Sequence, residues 1–110
     1  MRRSGLKHDL SETCCGFFST LANPTRLAIL ENLREGPKNV TAISEELEQE
    51  QSMVSHNLKP LERCGLVFIK RRGREKVYSL NRKTVETIFR AVENHAENFC
   101  PTKGRCKHSR

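Results

Sequence analysis

The chain contains no tryptophan and one tyrosine, and aromatic residues make up only 5% of its 110 positions. No apolar run approaches the roughly 20 residues that a spanning helix needs, which excludes a helical membrane protein. Six glycines and four prolines exclude a collagen-like or low-complexity chain. The basic start, Met1-Arg2-Arg3, has no apolar stretch behind it. It therefore does not read as a secretory signal, and a cytoplasmic location is expected. No Cys-x-x-Cys occurs, so the pattern of a small thiol oxidoreductase is missing, and no enzyme activity or catalytic residue is expected.

What is present is positive charge and sulfur. Twenty Lys and Arg against 13 Asp and Glu leave a net charge of +7. Such an excess favours a polyanionic partner, with DNA or RNA first. Five cysteines are an odd number that cannot pair completely within one chain, and a reducing cytosol keeps thiols free. The length suits one domain, and a chain this short gains from burying further surface in a dimer.

Periodicity and turn residues divide the chain. Asp9 to Thr20 reads as a helix, with Asp9 and Glu12 in a capping-box-like start, Ser11 as a competing cap, and Leu10, Cys14, Phe17 and Leu21 at helical spacing. Asn23-Pro24 begins a second helix, with Asn23 as cap and Pro24 at the first position, where its missing N–H costs nothing. That helix runs through Leu27, Ile29, Leu30 and Leu33 and ends at Gly36-Pro37. Val40, Ile43 and Leu47 line a short helix over about Thr41 to Glu48. After a polar turn, Gln51 to Arg63 forms another, with Val54, Leu58 and Leu61 inward and Ser52, Ser55, His56 and Lys59 outward. Pro60 removes the bond to the His56 carbonyl and should kink or tighten the last turn. Leu66 to Ile69 and Lys76 to Leu80 read as strands, with Lys70 to Glu75 as the hairpin tip. Arg82 to Phe99 is a last helix, with Val85, Ile88, Phe89, Val92 and Ala96 on one stripe.

Two short helices, the second with a polar outer face, followed by a hairpin make a winged helix-turn-helix. The expected fold is mainly helical with a small antiparallel β-hairpin, in the order α-α-α-α-β-β-α. Residues 1–8 are expected to be a flexible N-terminus, 9–99 the DNA-binding and dimerisation domain, and 100–110 a basic, cysteine-containing tail. Gln51, Ser52, Ser55, His56 and Lys59 carry groups that hydrogen-bond base edges or phosphates in the major groove. Arg71, Arg72 and Arg74 at the hairpin can reach phosphates or enter an adjacent minor groove.

The stretch Leu21-Ala22-Asn23-Pro24-Thr25-Arg26-Leu27-Ala28-Ile29-Leu30 resembles the corresponding helix of the ArsR/SmtB transcriptional repressors. Ser52 to Val67 resembles that family's recognition helix and first wing strand. The resemblance covers roughly residues 10 to 97. It implies a homodimer paired through its first and last helices, a double-stranded operator as partner, and an affinity for it that falls when an inducer binds.

Two of the family's sensor sites can be compared residue by residue. The stretch that would carry a Cys-Val-Cys site, Val40 to Leu47, has no cysteine. The last-helix zinc positions fall on Arg82, Thr84, His95 and Asn98; one imidazole does not hold zinc. The cysteines suggest another site. Cys14 and Cys15 lie on the first helix, and Cys100 and Cys106 at and beyond the end of the last. Adjacent cysteines do not form an easy disulfide but can share a large soft ion. Cys14, Cys15 and either Cys100 or Cys106 would suit arsenite or another soft metal ion. A thiol redox or persulfide switch through the same residues and a constitutive DNA-binding protein are the alternatives. Cys64, before Gly65, reads as structural.

Overall fold

A computed structural model describes residues 15–105. Its elements are α1 (Cys15–Leu21), α2 (Pro24–Leu33), α3 (Val40–Leu47), α4 (Gln51–Arg63), β1 (Val67–Arg72), β2 (Glu75–Leu80) and α5 (Arg82–Asn98). This is the expected winged helix-turn-helix order. The proposed start of the first helix at Asp9, together with Cys14 and Cys106, lies outside the described residues.

Asparagine caps set three of the helix starts. The Asn23 side chain accepts from the Arg26 N–H at 3.0 Å, with Pro24 as the first helical residue. Asn39 accepts from Ala42 N–H at 2.8 Å, and Asn81 from Thr84 N–H at 3.3 Å. Each cap satisfies an amide that has no partner within its helix. The α3 cap moves that helix one residue earlier than its apolar pattern suggested. The end of α2 is corrected more, from Gly36 back to Leu33. Its last carbonyls are taken by i→i+3 bonds, Glu31 to Arg34 and Leu33 to Gly36.

Pro60 does not terminate α4, which continues to Arg63, and the Cys64 N–H bonds the Pro60 carbonyl at 3.0 Å. The helix closes on Gly65 at φ +75°, with the Gly65 N–H on the Glu62 carbonyl and the Leu66 N–H on that of Leu61. This paired closure turns the chain directly into β1.

The core is one apolar cluster that includes Ile29, Leu30, Leu33, Ile43, Val54, Leu58, Leu61, Leu66, Val67 and Val85, with Tyr78 and Leu80 from β2. It holds α2, α3 and α4 against the base of the hairpin. The α5 stripe does not behave uniformly. Val85 is buried and Ile88 and Phe89 are half-buried, but Val92 is 60% exposed. Arg34 at the end of α2 clamps this helix, bonding Glu86 at 3.1 Å and Glu93 at 3.0 Å while lying over the Phe89 ring. Glu93 foremost, then Glu31 at 3.2 Å and Glu86, hold the guanidinium charged.

Candidate nucleic-acid interface

Along α4, Val54, Asn57, Leu58 and Leu61 are buried, and Gln51, Ser52, His56, Lys59 and Arg63 are exposed, with Ser55 half-buried at the margin. Residues 52, 56, 59 and 63 follow helical spacing and form one outward row. Arg63 belongs to that row and sequence reasoning missed it, although its spacing of four from Lys59 is the signal that finds it. Gln51 is not free: its Nε2 donates to the Thr41 hydroxyl at 3.3 Å.

The hairpin is longer than its charges suggested. The expected six-residue tip, Lys70 to Glu75, is a correction: Lys70, Arg71, Arg72 and Glu75 pair in the ladder, and only Gly73-Arg74 turn. Gly73 has φ +63°, as a two-residue turn with glycine first requires. The ladder also separates the expected arginine clamp. Successive strand residues face opposite ways, so Arg71 shares a face with its partner Lys76, and Arg72 shares the other with Glu75. Arg71 directly opposite Lys76 places like charges together, a pairing that costs stability unless an anion lies between them.

Three hydrogen bonds tie this wing to the helix-turn-helix. Lys38 and Tyr78 exchange backbone hydrogen bonds at 3.0 and 2.8 Å. The Asn39 amide donates to the Glu75 carboxylate. As a result Ser55 of α4, Thr41 of α3, and Arg74 and Lys76 of the wing line a single cleft of about 270 Å³. The helix meant to read bases and the wing meant to grip the backbone thus meet on one side of the molecule.

The cysteines are distributed differently. Cys15 begins α1, while Cys100 follows α5. The Cys100 thiol is brought down to about 7, first by the Thr102 hydroxyl and then by backbone N–H groups, Gly104 the foremost. Cys64, read as a small structural residue, is exposed at the end of α4 rather than buried, its thiol 3.4 Å from the Thr20 hydroxyl. His95 is exposed against the Phe99 ring, Arg82 pairs with Glu86, and Asn98 bonds Asn94. Among the described residues no group of three or more His, Cys, Asp or Glu is disposed to hold a metal ion.

The sequence model described as bacterial regulatory protein, arsR family, matches residues 23–67. The transcriptional regulator NmtR of Mycobacterium tuberculosis is 45% identical over 79 residues, 72% of this chain and 66% of its own. The crystal structure of NolR from Sinorhizobium fredii superposes with a TM-score of 0.73 at 32% identity, over 86% of this chain and 94% of that one. The chain belongs to the ArsR family. A solution structure of a homodimeric winged helix-turn-helix DNA-binding domain from Mycobacterium bovis, described as a possible ArsR-family regulator, matches with a TM-score of 0.74 at 29% identity. That match covers 90% of this chain and 92% of the other. ArsR membership places the chain among transcriptional regulators rather than enzymes. Among the described residues, no helix is long and apolar enough to cross a membrane.

Proposed function

We propose that this ArsR-family chain is a homodimeric transcriptional repressor that binds a double-stranded DNA operator and releases it when a thiol-reactive inducer binds. Gln51, Ser52, Ser55, His56 and Lys59 would contact the major groove, and Arg71, Arg72 and Arg74 the flanking backbone. The observation that carries this reading is the shared cleft between Ser55 on α4 and Arg74 and Lys76 on the wing. The split of Arg71 and Arg72 onto opposite faces suits phosphates on two sides of the wing better than one clamp. Dimerisation is supported by an apolar groove of about 610 Å³ between α1, α2 and α5, lined by Phe18, Leu21, Leu27, Ile88, Phe89 and Val92. The homodimeric Mycobacterium bovis domain has the same fold.

The test is a gel shift on DNA upstream of the protein's own coding sequence, run across a salt series. Arg72→Ala is expected to weaken binding on all duplexes alike and to reduce the slope of log affinity against log salt by about 1, since one phosphate contact is lost. Unchanged affinity would remove the wing from the interface.

For the inducer, the reading is a site built from Cys14, Cys15 and either Cys100 or Cys106, with arsenite as the type ligand. Each thiol displaces one hydroxyl of arsenous acid, releasing water. With its thiol at about 7, Cys100 is about half thiolate at neutral pH, which supports both this site and its rival, a redox or persulfide switch. Binding to the free dimer in preference to the DNA-bound one loosens the operator by the same factor, commonly about 1–3 kcal/mol. Cys14→Ser combined with Cys15→Ser should keep operator affinity within about 2-fold, well inside that coupling range, and abolish release by arsenite. Normal release in the double variant removes the thiol sensor.

A further inference from the structure

We propose that Arg26 and Asn57 are positioning residues: their partly buried hydrogen bond sets the rotation of α4 about its own axis and ties it to α1, so that operator discrimination depends on it. This rests on reading α4 as the helix that contacts bases.

Only three polar residues are buried among those described, Thr20, Ser44 and Asn57, and two of them meet at this joint. Asn57 is 6% exposed in the middle of α4. Its Oδ1 accepts from Arg26 Nε at 3.0 Å, and its Nδ2 donates to the Met53 carbonyl at 3.0 Å. From the first turn of α2 the same guanidinium reaches the Thr20 carbonyl in α1 at 3.4 Å. The Cys64 thiol at the end of α4 lies 3.4 Å from the Thr20 hydroxyl, a second link between the same two helices.

Packing alone does not call for asparagine here. Position 57 lies three after Val54 and four before Leu61, so leucine would complete the apolar row and leave no buried amide to satisfy. Asparagine is also a poorer helix former than leucine. What a directional bond adds is angular precision. A helix with side chains has a radius of about 5–6 Å, so a rotation of about 20° moves its outward groups by about 2 Å. Aliphatic contacts adapt to such a turn, whereas hydrogen bonds to base edges do not survive it. The Arg26 bond fixes the inner face at 57, and His56, the preceding residue, is fixed with it on the outer face.

The experiment uses the full chain and a duplex selected by the wild-type protein from a random-sequence pool, with an unrelated duplex of equal length as comparison. Asn57→Leu should keep its dimer state, its thermal midpoint and its affinity for unrelated DNA within about 2-fold. Affinity for the selected duplex should fall at least about 10-fold, the scale of one lost base-edge contact. Asn57→Asp, which still accepts from Arg26, should retain most of the discrimination. If Asn57→Leu fails to fold, Arg26→Lys takes its place with the same expected loss, because a single ammonium cannot span both Thr20 and Asn57. An unchanged ratio of selected to unrelated affinity overturns the proposal. So does an equal loss on both duplexes together with a lower thermal midpoint, which marks a purely structural bond. If the wild-type protein enriches no sequence, the reading of α4 itself has failed, and the proposal with it.

Discussion

Val92→Asp is expected to convert the protein to a monomer and to lower operator affinity by about 10²–10⁴, the gain that two linked half-sites confer. Val92 is 60% exposed in the protomer, beside Phe18 at 60% and Leu27 at 39%. Apolar side chains gathered this closely on the surface of a charged chain point to an interface. They line the groove between α1, α2 and α5, with Glu31 and Glu93 at its edge. An aspartate placed there would be buried against apolar surface beside Glu31 and Glu93, whose charges Arg34 already pairs, at a cost of several kcal/mol. The protomer itself has little to lose, since surface substitutions usually stay within about 0.5 kcal/mol. Sedimentation should give a monomer with native helix content, and Val92→Leu should remain dimeric. A dimeric Val92→Asp protein that still binds its operator would locate the interface elsewhere.

This face also explains why α5 follows its sequence pattern only in part. The stripe Val85, Ile88, Phe89, Val92 and Ala96 is regular, and periodicity correctly gives a helix with one apolar side. It does not say what that side packs against. Within the protomer, Arg34 pins α5 through Glu86 and Glu93, but only Val85 reaches full burial. Phe89 still packs against the core from the edge, whereas Val92 stays exposed, as the proposed dimer face requires.

Helix positions were the most legible part, because caps and breakers act locally. Asn23-Pro24 and the bounds of α4 needed no tertiary information. The hairpin was harder to delimit: Lys70, Arg71 and Arg72 look like a loop by composition, but a ladder pairs backbone groups and tolerates charged side chains that project into water. The candidate interface was legible as a list of residues and not as an arrangement. That Arg71 and Arg72 face apart follows from strand alternation once the strand is known to include them. That Gln51 leans on Thr41 depends on the turn at Glu48, whose left-handed φ of 57° joins α3 to α4. Asn57 could have been found, because it sits on the apolar spacing of Val54 and Leu61, and a polar residue there is informative.

Adjacent residues of α4 should separate folding from binding. Leu58 is 1% exposed in the core, and Lys59 beside it is exposed. Leu58→Ala removes packed methyl groups and leaves a cavity, costing about 2–5 kcal/mol. In a domain of this size that lowers the thermal midpoint by roughly 10–30 °C. Part of the loss is functional, because Leu58 helps hold the inner face on which the outward row depends. Binding should therefore fall on every duplex by more than the unfolded fraction accounts for. Lys59→Ala should leave the thermal midpoint within about 2–4 °C, as a surface change of up to 0.5 kcal/mol allows. Yet it should weaken DNA binding at temperatures where both proteins are folded. Thermal melts and gel shifts at one salt concentration read both effects. If Lys59→Ala binds as tightly as wild type while Leu58→Ala loses binding only through unfolding, the outward side of α4 does not face DNA. The wing would then be left as the sole cationic grip.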